Sequence, residues 1–137
     1  MISPYFNLTG KTEQELTNVQ TVLAFYDKVL DGGDFSEAQN FFGASYTQHN
    51  PLAEDGPEGL RKFLEIIRPL FPNVKHHIKR VFADNDHVVL HLHVVRQAND
   101  PGLAVTDIFR LAGGRIVEHW DVIQDVPHES LNANSMF

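Results

Sequence analysis

Leu103-Ala-Val-Thr-Asp107-Ile-Phe-Arg-Leu-Ala-Gly113-Gly114-Arg115-Ile-Val-Glu-His-Trp120-Asp-Val-Ile-Gln124 is the stretch that decides the fold. Two runs rich in β-branched and aromatic residues flank a glycine pair. Such a pair accepts the positive φ angles of a primed two-residue turn, so the stretch predicts a hairpin with strands over Leu103–Leu111 and Arg115–Gln124. With Gly113 and Gly114 as the loop, Ala112 faces Arg115, which sets Phe109 opposite Glu118 and Asp107 opposite Trp120. On that register Asp107, Phe109, Glu118, Trp120, Val122 and Gln124 share one face of the sheet. Thr106, Ile108, Arg110, His119, Asp121 and Ile123 share the other, and a slip of one residue exchanges the two sets.

Working outward, the period of two continues upstream into strands predicted over Val74–Ala83 and His87–Gln97, joined by Asp84-Asn85-Asp86. Ala98 to Gly102, with Pro101-Gly102, leads into the hairpin. Before Pro72 the period is helical. Leu16, Val19, Leu23, Tyr26 and Leu30 form one stripe of a helix from Thr12 to Leu30, opened by a Thr12/Glu15 capping box and closed by Gly32-Gly33. Asp34 with Glu37 predicts a short second helix carrying Ala38, Phe41 and Phe42 and ending at Gly43. The segment from Ala44 to Gly56 reads as a polar loop, because Pro51 drives Asn50 toward an extended conformation. Asp55 caps a third helix with Leu60, Phe63, Leu64 and Ile67 on its buried face, and Pro69 and Pro72 stop it. Three helices followed by four antiparallel strands make an α+β domain, with the helices packed on one face of a curved sheet.

One domain is expected over residues 1–137, with a core from about 12 to 125 and a tail over 126–137, because 137 residues support one hydrophobic core. The absence of cysteine excludes disulfides and thiolate metal sites. Eleven basic against 18 acidic side chains give a net charge of −7, which argues against a nucleic-acid partner. No apolar run reaches the roughly 20 residues of a membrane span. Met1 to Lys11 lacks the basic start and apolar run of a leader, so the expected location is cytoplasmic. There is no phosphate-binding glycine loop, nucleophile elbow or cysteine nucleophile.

Asp107 interrupts an apolar face between Val105 and Phe109, and burying an unpaired carboxylate costs several kcal/mol. Two readings stand. In one, Asp107 lies in an apolar pocket whose desolvation raises its pKa from about 4 toward neutrality, as a general acid or base requires. In the other it pairs with Arg110, Arg96 or a histidine as a structural ion pair. His91 and His93, two apart in one strand, share a face and suit hydrogen bonding to a polar ligand, proton transfer or core packing. They suit a metal less, since a third protein ligand is missing. His49-Asn50-Pro51 beside Tyr46 offers polar groups at the mouth of a site or an ordinary turn. Trp120 and the phenylalanines serve as core or as pocket lining.

Tyr46-Thr-Gln-His-Asn-Pro51, Thr106-Asp-Ile-Phe-Arg110 and Gly114-Arg-Ile-Val-Glu-His-Trp-Asp121 together resemble the SnoaL-like group of polyketide cyclases, within the nuclear transport factor 2-like superfamily. The resemblance spans about Thr12 to Asp125. It implies a cone of three N-terminal helices on a strongly curved, mostly antiparallel sheet. It also implies an enzyme that closes a ring by intramolecular aldol condensation without a cofactor. Residue by residue it assigns the acid/base role to Asp107 and the substrate-polarising role to His91 and His93, with Asp121 as second choice. In those cyclases a polar residue other than histidine stands at the place of His91. The pocket would be shaped by Tyr46, His49, Asn50, Phe109, Trp120 and Gln124.

The functional expectation is an enzyme of lyase or isomerase type acting on an apolar carbonyl compound, with neither cofactor nor metal. The alternatives are a ligand-binding or dimerisation domain, which the superfamily also contains, and hydrolysis of an epoxide-like ring. A homodimer through the convex sheet face is expected, because Val88, Leu90, Leu92 and Val94 lie exposed there if His91 and His93 face the cavity. With the opposite parity the histidines lie on the contact face instead.

Overall fold

The strand His87–Val95 fixes which way the sheet faces. Val88, Leu90, Leu92 and Val94 are buried, and the residues between them, His91 and His93 included, are only partly covered. Four aliphatic side chains removed from water outweigh two half-exposed imidazoles, so the aliphatic row turns inward. This settles the parity. The expectation of Val88, Leu90, Leu92 and Val94 on an exposed convex face is corrected: they are core, and His91 and His93 stand outside.

The computed structural model describes residues 6–137. The first five residues, part of the stretch read above for a leader, lie outside the described residues. Helix α1 spans Glu13–Phe25 and continues as a π-helical segment, Tyr26–Asp31. Both capping-box hydrogen bonds form: the Glu15 backbone N–H donates to Thr12 Oγ1 at 3.1 Å, and the Thr12 N–H donates to Glu15 Oε1 at 2.9 Å. A 3-10 helix, Phe35–Asn40, leads into strand β1, Phe42–Gln48, where a helix end and a loop were expected. Helix α2, Gly56–Leu70, carries Pro57 in its first turn and Pro69 in its last, where a missing N–H does little harm.

Four long strands then follow as a meander: β2, Lys75–Asp84; β3, His87–Val95; β4, Leu103–Ala112; and β5, Arg115–Asp125. The sheet order is β1-β5-β4-β3-β2, antiparallel except that β1 runs parallel to β5. The α+β cone is as expected, with a fifth strand added. Gly113 and Gly114 have φ of 57° and 75°, as a primed turn requires, and Ala112 pairs with Arg115.

Beyond that first pair the register departs from simple counting. Leu111 pairs with Ile116, but Arg110 pairs with Glu118, so Val117 is the extra residue of a β-bulge. The slip reverses every assignment downstream of it. Phe109 lies opposite His119, Asp107 opposite Asp121, and Ile108 opposite Trp120. Helices α1 and α2 close the concave side, and Val19, Val22, Phe25, Val29, Leu64, Leu90, Leu92, Phe109 and Ile116 belong to the core between the layers. Among the described residues no helix is long and apolar enough to cross a membrane.

Candidate functional site

Between the helices and the concave face lies a cavity of about 370 Å³. Its wall is largely apolar: Phe25 and Leu30 from the first helix, Leu60, Phe63, Leu64 and Ile67 from α2, and Val74, Val94, Leu103, Val105 and Phe109 around the sheet. Into this lining project Asp107 from β4 and His119 and Asp121 from β5. The bulge at Val117 brings them together by turning His119 and Asp121 to the face of Asp107.

Asp107 is 8% exposed and fully engaged on both oxygens. Oδ2 accepts the Tyr26 hydroxyl, and Oδ1 meets His119 Nε2 at 2.8 Å. His119 Nδ1 lies 2.8 Å from Gln48 Oε1. That Gln48 oxygen also receives the Asn50 backbone N–H at 3.0 Å, a group that can only donate, so the oxygen assignment is secure and His119 Nδ1 carries a proton. The Nε2–Oδ1 contact then holds one further proton shared by the His119–Asp107 pair: either imidazolium with carboxylate or imidazole with carboxylic acid.

Asp121 is held differently. Asn50 Nδ2 donates to its Oδ2 at 2.7 Å, His119 Nε2 stands 4.0 Å from the same oxygen, and Oδ1 has no partner among the described residues. No sealed side-chain polar atom among them lacks a hydrogen bond, so Oδ1 is open to the cavity. Burial raises the Asp121 pKa above the usual carboxylate range; the Asn50 hydrogen bond and then the His119 charge oppose it, and the Asp107 charge adds the smallest contribution upward. The hydroxyls of Tyr26 and Tyr46 are both pushed up by burial and then by the Asp107 charge, so each remains a donor. Gln48 Nε2 donates to the Tyr46 hydroxyl at 2.9 Å and completes the network.

Of the residues singled out in the sequence, the cavity receives Asp107, Asp121, Tyr46, Asn50 and Phe109. It does not receive the others. His91 and His93 lie on the convex face: Arg80 reaches His91 Nδ1, His93 Nε2 lies 2.7 Å from the Pro101 carbonyl, and the Phe137 ring stacks on His93 at 4.4 Å. Gly102, with φ of +88°, is needed there because a Cβ would sit 2.6 Å from His93 Nε2. Burial, and then the Arg80 charge, lowers the His91 pKa.

His49 stacks on Trp120, with ring centroids 4.9 Å apart, and bonds Glu118 at 2.7 Å on the same outer face. Gln124 pairs with Ala104 and is exposed. The roles of His91 and His93 as catalytic residues and of His49, Trp120 and Gln124 as pocket residues are therefore corrected; each lies beyond the reach of a molecule in the cavity. Tyr26, Gln48, His76 and His119 are cavity residues that the sequence reading missed. Tyr26 looked like one more member of an apolar stripe, and His119 was assigned to the far face by the unbulged register.

A metal, if one were held, would sit among Asp107, His119 and Asp121, whose donor atoms all lie within 4.8 Å of one another. The third ligand lacking at His91 and His93 is present here. The hydrogen bond between Asp107 and His119, however, already uses the lone pairs that such an ion would need.

Comparison with known proteins agrees with this architecture. The family model described as SnoaL-like polyketide cyclase matches residues 20–130. Among solved structures, a proposed SnoaL-like polyketide cyclase from Jannaschia sp. CCS1 superposes with a TM-score of 0.71 at 20% identity, covering 82% of this chain and 89% of that one. A proposed polyketide cyclase from Acidithiobacillus ferrooxidans gives 0.66 at 18% identity, with 78% and 87% covered. AclR, a proposed hydroxylase from Streptomyces galilaeus, gives 0.68 at 21%, with 82% of each chain covered. At these identities the likeness is one of fold. No curated protein matches by sequence.

Proposed function

Since the chain belongs to the SnoaL-like polyketide cyclase family, we propose that it is a cofactor-independent enzyme of lyase or isomerase type that moves protons on a carbonyl compound enclosed in the cavity. One observation carries the reading: an open carboxylate oxygen, Asp121 Oδ1, beside an Asp107–His119 pair that stores a proton, all within an otherwise apolar chamber. An α-proton of a ketone needs a base with raised proton affinity, and desolvation supplies one at Asp121. The family resemblance gives this duty to Asp107; its two occupied oxygens favour Asp121 as the acceptor, with Asp107 holding the shared proton.

In an aldol closure Asp121 takes the proton from carbon, the new carbon–carbon bond forms, and the alkoxide takes the proton of the Asp107–His119 pair. Asp121 then returns its proton to that pair and the cycle closes. In an isomerisation the proton on Asp121 returns to a different carbon. Tyr26 remains donated to Asp107 throughout and keeps that carboxylate oriented.

Exchange of solvent deuterium into 2-tetralone, followed by NMR, tests the reading. The Asp121→Asn variant is expected to lose the protein-catalysed exchange by about 10²–10⁴-fold. Exchange at the wild-type rate in that variant overturns it, and binding without exchange in the wild type favours a ligand-holding domain.

The same reading extends to assembly. Register places Phe82, Val89, Ile108 and Trp120 side by side across β2, β3, β4 and β5 on the convex face, with Phe82 58% and Val122 68% exposed. This belt replaces the Val88 row as the contact of a homodimer. Gel filtration at micromolar concentration should show a dimer, and a monomer alone refutes it.

A further inference from the structure

His76 is a half-buried histidine on β2 that borders the cavity and takes no part in the chemistry derived so far. Its Nδ1 lies 2.7 Å from Asp31 Oδ1, and its backbone N–H donates to the same oxygen at 3.0 Å. Asp31 is the last residue of the π-helical segment, so the helix end and the strand are pinned to each other through this carboxylate. A carboxylate accepting from Nδ1 fixes the ring's orientation and favours the Nδ1–H form, as when a histidine is aimed by an acidic partner.

The other nitrogen, Nε2, has no hydrogen-bond partner among the described residues, and since no sealed polar atom there is unpartnered, it is accessible. The ring meets that of Tyr26 edge-on, with centroids 5.6 Å apart, and the Tyr26 hydroxyl bonds Asp107. Tyr26 therefore links His76, on the edge strand β2, to the Asp107–His119 pair on β4 and β5, with β3 between β2 and β4 in the sheet.

We propose that the Asp31-aimed His76 is a further catalytic residue, whose Nε2 binds and protonates the oxygen of the enolate formed when Asp121, which lines the same cavity, removes a proton from carbon. The inference rests on the proton-transfer reading above and supplies what it lacks: a donor for the first oxygen to gain charge. With Nδ1–H held by Asp31, a proton on Nε2 makes the ring an imidazolium; that proton passes to the enolate oxygen, leaves the neutral Nδ1–H ring, and returns when the carbonyl re-forms, so the step is balanced without a co-reactant. Asp31 is a positioning residue that accepts from Nδ1 and the backbone N–H of His76 and so fixes the ring. The ligand class that follows is a planar ketone or enol with its oxygen directed toward β2.

A stable oxyanion tests this apart from turnover. In the Asp121→Asn protein, which resembles the state with the base already protonated, 4-nitrophenolate is expected to bind and to shift the His76 Nε2 resonance in ¹⁵N-detected spectra. His76→Phe retains a ring against Tyr26 and should weaken binding by about tenfold or more, with Asp31→Asn giving a smaller loss. An unmoved Nε2 resonance, or equal affinity in His76→Phe, overturns the proposal, as does absence of phenolate binding. The resonance is read with His76 intact, so poor folding of a variant does not mask the answer. Wild-type exchange on 2-tetralone with no phenolate response sinks His76 alone. A phenolate response without exchange sinks the proton-transfer reading and leaves His76 as an oxyanion-binding group.

Discussion

Glu118 and Asp121 occupy the same strand, and the two carboxylates respond to their surroundings in opposite senses. Glu118 stands on the convex side with its side chain 19% exposed, bonded by His49 at 2.7 Å and by Arg110 Nε at 2.9 Å. Those hydrogen bonds, His49 first, hold its pKa below the usual range. Asp121 stands on the concave side, where desolvation dominates and drives its pKa up. A histidine–carboxylate pair is present on both faces, yet only the inner one is set in an apolar chamber beside an oxygen left free. The lesson is that the residue types do not distinguish an ion pair on the surface from a carboxylate of raised proton affinity; the dielectric and the unused lone pair do.

The contrast breaks most readily at Tyr26. Tyr26→Phe removes the donor to a buried carboxylate, and calorimetry should register a loss of about 1.5–3 kcal/mol, since hydrogen bonds to charged groups are the costly ones to remove. A change of under about 0.5 kcal/mol, the usual range of surface substitutions, means that the inner network is no more demanding than the outer one.

A smaller effect sharpens the same contrast through pH. The folded-state pKa of Asp121 is raised, so its contribution to stability is present below the unfolded value of 3.8 and is lost as pH rises through the folded pKa. Asp121→Asn should therefore melt above the wild type at pH 7, and this gap should close below about pH 4. For Glu118 the sign is reversed: its pKa is depressed, so stability is present above the unfolded value of 4.5 and is lost as pH falls through the folded one. Glu118→Gln should melt below the wild type at pH 7, and that gap too should close in acid. Thermal melts of the two variants that shift in the same direction at pH 7 refute the division between the faces.

The helices, the Thr12/Glu15 capping box, the four long strands and the Gly113-Gly114 turn were legible because each is written in local periodicity and turn chemistry, whereas Asp55 stands at the start of α2 without capping it, its Oδ1 taken by the Gln48 backbone N–H. Strand β1 was not legible, since Phe42–Gln48 is short, carries polar residues and becomes a strand by pairing with β5, some seventy positions away. The bulge at Val117 leaves no comparable mark, because an inserted residue is decided by how the hairpin packs rather than by its own composition. Asp107 was placed inside correctly despite the wrong register, through its apolar neighbours Val105 and Phe109. His91 and His93 drew attention by their chemistry, whereas the weight of Val88, Leu90, Leu92 and Val94 between and beside them was the better guide to which side is dry.

The π-helical winding of Tyr26–Asp31 fits one residue more into a turn than an α-helix would. Its first residue grips Asp107 and its last grips His76, so the two walls of the chamber are coupled through a single loosely wound coil. Removing one residue inside it would restore ordinary winding and rotate one end relative to the other by about 100°. The helix thus works as a gauge block: the spacing between Asp107 and His76 is set by how many residues that one turn contains.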